Sequence, residues 1–218
     1  MHIYPSLISS NVLTLEKTLQ QFDRLCNGYH LDVMDDHFVP NLTWGPTFIN
    51  AIRQATPLPL HVHLMVDNPE MWLNRLKLHD GDTIIFHYEA VSNDAHAKRI
   101  IDLIKASRLL AGLAINPNTA PEKIHPILAN LEMILLMTVY PGFSGQSFIP
   151  DVLNKIATIR KMQQLVGNHA TMCLDGGINM DTMPLVRKHQ VQHVAIATAI
   201  FGQPDPADAI KQLYSSNN

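Results

Sequence analysis

Eight times along this chain a short apolar run gives way to a longer segment with helical spacing. The apolar runs fall at 3–9, 29–35, 58–66, 83–89, 110–116, 133–139, 170–176 and 193–201. Helices are expected at 14–26, 46–55, 69–77, 93–107, 121–129, 150–164, 181–189 and 205–214. Strands that are apolar almost throughout, each followed by a helix, belong to a parallel sheet covered on both faces. Eight such units in 218 residues suit an α/β protein at the small end of the (β/α)8 (TIM) barrel range. A doubly wound open sheet is the alternative, and it usually carries a glycine-rich phosphate turn after its first strand. Here that position reads PSLISSN, with no glycine. No linker or low-complexity tract interrupts the pattern, so a single domain over 1–218 is expected.

Composition excludes several partners. A hydrophobic fraction of 46% is enough for a full core. The formal net charge is −3 and there is no basic run, so there is no footprint for nucleic acid. No stretch of about 18 apolar residues is free of charges, so no membrane span is expected. MHIYPSLISS has no basic segment followed by a long apolar one and does not read as a signal peptide. Two cysteines, Cys26 and Cys173, make no disulfide framework; they read as reduced and buried, in a cytoplasmic protein.

Polar groups concentrate where strands end. HLDVMDDHFVPN, residues 30–41, holds two histidines and three aspartates within eight positions. His30, Asp32 and Met34 alternate and so share one face of the second strand. His61, His63 and Met65 do the same on the third. The seventh strand ends in Asp175-Gly176-Gly177, and the sixth carries Met137 before a loop containing Gly142, Phe143, Ser144 and Gly145. In a barrel, the C-terminal strand ends form the site. Imidazole and carboxylate converging there suit one divalent ion, Zn2+, Fe2+, Mn2+ or Co2+. Taken singly, each histidine reads as a satisfied core residue and each aspartate as a loop cap; four together at period-two spacing favour the metal. Late glycine-rich loops, with Ala197 and Thr198 after the eighth strand, suggest a phosphate site of the kind barrels place there. Each glycine alone reads equally as a turn, and Thr198 as an ordinary strand residue.

Seven motifs run through nearly the whole chain: PSLISS, HLDVMDDHFVPN, HVHLMV, FHYEA, MTVYPGFSGQSFIP, LDGGIN and ATAIFG. With these motifs in this order, the sequence resembles the ribulose-phosphate 3-epimerase family. The resemblance implies a barrel of the ribulose-phosphate-binding type and a metal-dependent isomerase. Its activity would be interconversion of D-ribulose 5-phosphate and D-xylulose 5-phosphate, with a place in the pentose phosphate pathway. It implies His30, Asp32, His63 and Asp175 as metal ligands, with Asp32 and Asp175 also as the acid/base pair. Ser6 and His63 would contact substrate, and Gly142, Phe143, Ser144 and Gly145 substrate and phosphate. Gly176 and Gly177 would contact substrate and phosphate, and Ala197 and Thr198 phosphate. Met34, Met65 and Met137 would form an apolar pocket wall. A homo-oligomer, dimer or hexamer, is also implied.

Four positions depart from the family pattern. Asp36 stands for a usual glycine, His61 for a frequent acidic residue, Ser144 for a loop glycine, and Ala197 with Thr198 for a glycine–serine pair. They leave the metal and acid/base set intact and bear on the exact substrate. The alternatives are a 3-epimerase of another ketose phosphate such as D-allulose 6-phosphate, or a sugar-phosphate-binding barrel without catalysis. A decarboxylase-like barrel would carry lysine where Met34 stands. A metal hydrolase would need Asp35 or Asp36 as base, and both read better as loop residues.

Overall fold

The computed structural model describes Met1 to Ser215. Eight parallel strands form one sheet: β1 (His2–Pro5), β2 (Tyr29–Met34), β3 (Leu60–Met65), β4 (Thr83–His87), β5 (Leu110–Ile115), β6 (Met133–Met137), β7 (Thr171–Asp175) and β8 (His193–Ile196). Their order is β1-β8-β7-β6-β5-β4-β3-β2. A bridge between Ser6 and His30 joins the two ends, so the sheet curls into a barrel. Around it lie α1 (Leu15–Phe22), α2 (Pro46–Ala55), α3 (Glu70–Leu73), α4 (Asp94–Ala106), α5 (Lys155–Val166), α6 (Met183–Lys188), α7 (Thr198–Phe201) and α8 (Pro206–Ser215).

Strand alternation sorts the side chains between two cores. Leu31, Val33, Val62, Leu64, Ile134 and Leu136 point outward into the large core beneath the helices. Their neighbours in sequence turn inward. Ile85, Met133, Leu135, Met137 and Cys173 pack together inside the barrel. Lower in the barrel, His61 lies on Tyr4 with ring centroids 3.7 Å apart. Burial foremost, then His30, His193 and His63, holds His61 well below the usual imidazole range, so it is a neutral stacking residue.

The N-terminal rim is held by a buried ion pair. Arg53 of α2 donates from one guanidinium nitrogen to Asp82 Oδ1 at 2.6 Å and from another to the Thr56 carbonyl. Asp82 also accepts from the backbone N–H groups of Leu60, at 2.9 Å, and His79, at 2.8 Å. One carboxylate thus ties a helix to the starts of two strands.

Several expectations from the sequence are corrected, among them the helix at 69–77, which is the single turn Glu70–Leu73. Residues 121–129 form no α-helix. They hold two short 3-10 turns, Pro121–Ile124 and Leu128–Asn130, with i to i+3 bonds such as His125 N–H to the Glu122 carbonyl. Pro126 lacks the N–H that an α-helix would use, and its ring would crowd the Glu122 carbonyl. The run at 193–201 is a strand only to Ile196; Thr198 opens the helical turn α7 and is not a strand residue. Cys173 is buried as expected, whereas Cys26 is only half-buried; both are free thiols.

Asp36 explains one departure from the family pattern. It sits at φ 61°, in the left-handed region that favours glycine and that aspartate tolerates better than most residues. Asp36→Gly is expected to raise stability by about 0.5–1 kcal/mol. Chemical denaturation checks this; an unchanged or lower midpoint would show that the Asp36 side chain contributes more than its backbone costs.

A candidate metal centre beneath a cleft

β2, β3 and β7 bring four side chains to one point. His30 Nε2 lies 3.2 Å from His63 Nδ1, 3.3 Å from Asp32 Oδ1 and 3.5 Å from Asp175 Oδ2. His63 Nδ1 lies 3.2 Å from Asp32 Oδ1 and 3.5 Å from Asp175 Oδ2. Register sets this up: Asp32 pairs across the sheet with His63, so both project into the barrel at one level. Asp175 arrives from the far side as the last residue of β7. The two histidines have no exposed surface, and the two aspartates almost none.

A divalent ion fits this set. Tetrahedral N and O ligands about 2.0–2.1 Å from an ion stand roughly 3.3–3.4 Å from one another. The measured spacings of 3.2–3.5 Å bracket that edge, and all four atoms lie within 4.8 Å of one another. Charge points the same way. Burial opposes the charge on Asp32 and Asp175, yet the adjacent imidazoles outweigh it and hold both carboxyls below their usual range. Burial likewise disfavours protonated His30, but Asp32 and Asp175 push its pKa up to about 10. Two buried carboxylates here call for a positive charge, which an ion supplies better than a proton.

Above the centre a cleft encloses about 510 Å³ of empty space, open solvent at its mouth included. Asp32 and Asp175 reach its floor, while His30 and His63 lie below it. Met34, Met65 and Met137 line it and are almost wholly buried. Met34 and Met65 pack with Val39, Ile8 and Phe38, the last two half-buried. Ser6 also lines the cleft, and its hydroxyl donates to Asp32 Oδ2 at 2.5 Å. Gly142, Phe143, Ser144 and Gly145 line the cleft together with Gly176, Gly177, Ala197 and Thr198. His30, Asp32, His63 and Asp175 meet at the centre and the loop, glycine and methionine positions line the cleft, whereas His61, Asp35 and Asp36 fall on neither.

Loop contacts shape that lining. Asn41 donates from its side chain to the Gly142 carbonyl at 2.7 Å, tying the loop after β2 to the loop after β6. Gln146 donates to the carbonyls of Tyr140 and Phe143, at 2.7 and 2.8 Å, and holds the loop's turn. Gly176 and Gly177 have φ values of 112° and 64°. A Cβ on Gly176 would run into Val139, and one on Gly177 would meet Phe148. Both glycines are thus required by backbone conformation and by close approach. Ala197 has φ −103° and Ser144 is not among the residues with positive φ, so neither departure sits in the left-handed region that favours glycine.

Asp35 accepts from the backbone N–H groups of His37, Phe38 and Asp67. It is a loop cap, not a base beside the metal. Sequence reasoning assigned no role to Ile8, Val139, Pro141, Gln146 or Ile178, which also line the cleft. Nor did it place His87, whose Nε2 lies 2.8 Å from His63 Nε2, or Glu89 behind it. Burial, only partly offset by Glu89, lowers the His87 pKa to about 4.

The fold and site define a (β/α)8 barrel with a buried two-histidine, two-aspartate cluster, able to hold a metal ion, under a cleft at the C-terminal strand ends. A sequence profile described as the Ribulose-phosphate 3 epimerase family matches residues 2–201. The ribulose-phosphate 3-epimerase of Bacillus subtilis is 36% identical over 216 residues, 98% of each chain. That of Methanocaldococcus jannaschii is 40% identical over 185 residues, 85% of this chain and 77% of its own. Among solved structures, a 3-hexulose-6-phosphate synthase superposes with a TM-score of 0.70 over 99% of both chains, at 14% identity, a likeness of fold. The chain belongs to the ribulose-phosphate 3-epimerase family and is an isomerase of the epimerase kind.

Proposed function

We propose that the protein interconverts D-ribulose 5-phosphate and D-xylulose 5-phosphate, carrying the C3 proton on Asp32 and Asp175. One observation carries this reading: two buried carboxylates, from β2 and β7, reach the same histidine pair and open on the same cleft. Inverting C3 of a 2-ketose means removing a proton beside the carbonyl and returning one on the other face of a planar 2,3-enediolate. That requires a base on each side.

Asp32 Oδ1 and Asp175 Oδ2 face the histidines. Asp32 Oδ2 and Asp175 Oδ1 are then left to take and give the proton. Ser6 fixes the Asp32 carboxylate through Oδ2 and hands over that bond as the oxygen takes the proton. His30, His63, Asp32 and Asp175 would hold a divalent ion, Zn2+, Fe2+, Mn2+ or Co2+. Such an ion, when bound, supplies Lewis-acid stabilisation of the negative charge developing on the substrate's two oxygens. Met34, Met65 and Met137 keep water from the exchanging proton. The glycine loops and the first turn of α7, with the Thr198 hydroxyl, take the phosphate.

A homo-oligomer, dimer or hexamer, belongs to the same reading. Leu13, Leu42 and Met71, on three successive segments after β1, β2 and β3, are exposed apolar side chains that a second copy would cover. Among the described residues no helix is long and apolar enough to cross a membrane. Two free thiols and the likeness to bacterial enzymes support a cytoplasmic setting.

The test is NMR in D2O with D-ribulose 5-phosphate, with and without a strong chelator. Xylulose 5-phosphate carrying deuterium at C3 is expected, lost on chelation and restored by divalent metal. Ala197 and Ser144 favour one second reading, a ketose phosphate of different size such as D-allulose 6-phosphate. Turnover of that compound and not of ribulose 5-phosphate would establish it. Metal binding without turnover of either would leave a non-catalytic sugar-phosphate-binding barrel.

A further inference from the structure

We propose that His87 and Glu89 are positioning residues that lock His63 in the one tautomer able to bind the ion, a reading that rests on the metal site described above. FHYEA, residues 86–90, is the motif to which no role has been given. Its His87 and Glu89 stand end to end behind His63. His63 Nε2 lies 2.8 Å from His87 Nε2, and His87 Nδ1 lies 3.2 Å from Glu89 Oε2. The other Glu89 oxygen accepts from the Asn116 N–H at 2.9 Å and from the Thr119 hydroxyl. Lys155 donates to the Asn116 and Thr119 carbonyls, at 2.8 and 2.7 Å, and fixes that loop in turn.

With His87 wholly buried and therefore neutral, proton bookkeeping allows one arrangement. A carboxylate only accepts, so neutral His87 must carry its proton on Nδ1, against Glu89. His87 Nε2 is then an acceptor. The short contact to His63 Nε2 requires His63 to donate from that atom. His63 Nδ1 is therefore left as a bare lone pair, and it is the atom facing His30, Asp32 and Asp175. A lone pair beside two carboxylate oxygens is repelled unless a cation lies between them. The relay thus presents the ligand in its binding form before the ion arrives. His30 has no such support: its Nδ1 finds no hydrogen-bond partner among the described residues. The relay acts on one ligand, from one side of the barrel.

Co2+ is the probe, with affinity read by competition against a chromophoric chelator. His87→Phe is expected to weaken Co2+ binding about 10- to 100-fold, as losses of such outer partners typically do. His87→Gln can accept from His63 and donate to Glu89, and is expected to recover most of the loss. Equal Co2+ affinity in wild type and His87→Phe would overturn the relay while leaving the metal site standing. Absence of Co2+ binding by the wild-type protein would overturn the metal site and the relay with it. Should His87→Phe fail to fold, long-range 1H–15N NMR of the wild-type protein decides, with His63 assigned by comparison with His63→Asn. A protonated Nε2 on His63 is expected, and a protonated Nδ1 would refute the proposal.

Discussion

Asp175→Asn is expected to lower kcat for epimerisation by about 10³-fold or more, with the barrel still folded. The amide cannot take a proton at the oxygen left for C3, although its shape fits the space. Exchange and epimerisation should also separate. With only Asp32 remaining as base, C3–H of one epimer still exchanges slowly with D2O, but no other epimer accumulates. Asp32→Asn should show the mirror pattern, with exchange confined to the opposite epimer. Because both aspartates also face the histidines, metal content must be measured beside the rates. A metal-loaded Asp175→Asn protein with undiminished epimerisation would remove Asp175 from the proposed chemistry.

The largest expected loss of stability lies far from that site, at Arg53 and Asp82. Both side chains are about 2% exposed. Removing one partner leaves a buried, uncompensated charge, which costs about 3–5 kcal/mol. Arg53→Met should therefore lower the melting temperature by roughly 8–15 °C in a chain of this size. Asp82→Asn should do comparable harm, because it strands the Arg53 cation. The double variant should lose less than the two single losses added, since the second change removes the stranded charge. Thermal and denaturant unfolding of the four proteins completes the cycle; additive losses would mean that the pair acts through backbone contacts alone.

The strand faces were legible because a two-residue period needs no knowledge of the third dimension. His30 with Asp32, and His61 with His63, share a face in any strand. Which of those positions reach the mouth depends on register and on how deep each strand sits. His61 and His63 share the inner face of β3, yet one stacks on Tyr4 and the other joins the metal centre. The pattern at 121–129 predicts a helix, whereas in the chain the N–H missing at Pro126 leaves two 3-10 turns. The end of β8 was obscure for a different reason: ATAIF has the composition of a strand, and only α7 shows that the chain turns at Ala197. FHYEA stood out as a motif, but its link to His63 crosses between strands, and a single sequence does not disclose that contact. Asp36, Ser144 and Ala197 were visible as departures; only φ reveals that one of the three occupies glycine's conformation.

The seam at Ser6 and His30 bears on how the protein is made. β1 emerges first from the ribosome, yet its paired neighbour in the sheet, β8, is synthesised last. Until then the growing sheet has two open edges, the surfaces on which strands of other chains mispair. His30, Asp32 and His63 also emerge long before Asp175, so a partial chain carries three of the four cluster residues and only one of the two carboxylates. A product ending before β7 would thus lack one member of the proposed acid/base pair. The proposed acid/base pair is therefore complete only once the seventh of the eight strands has been made.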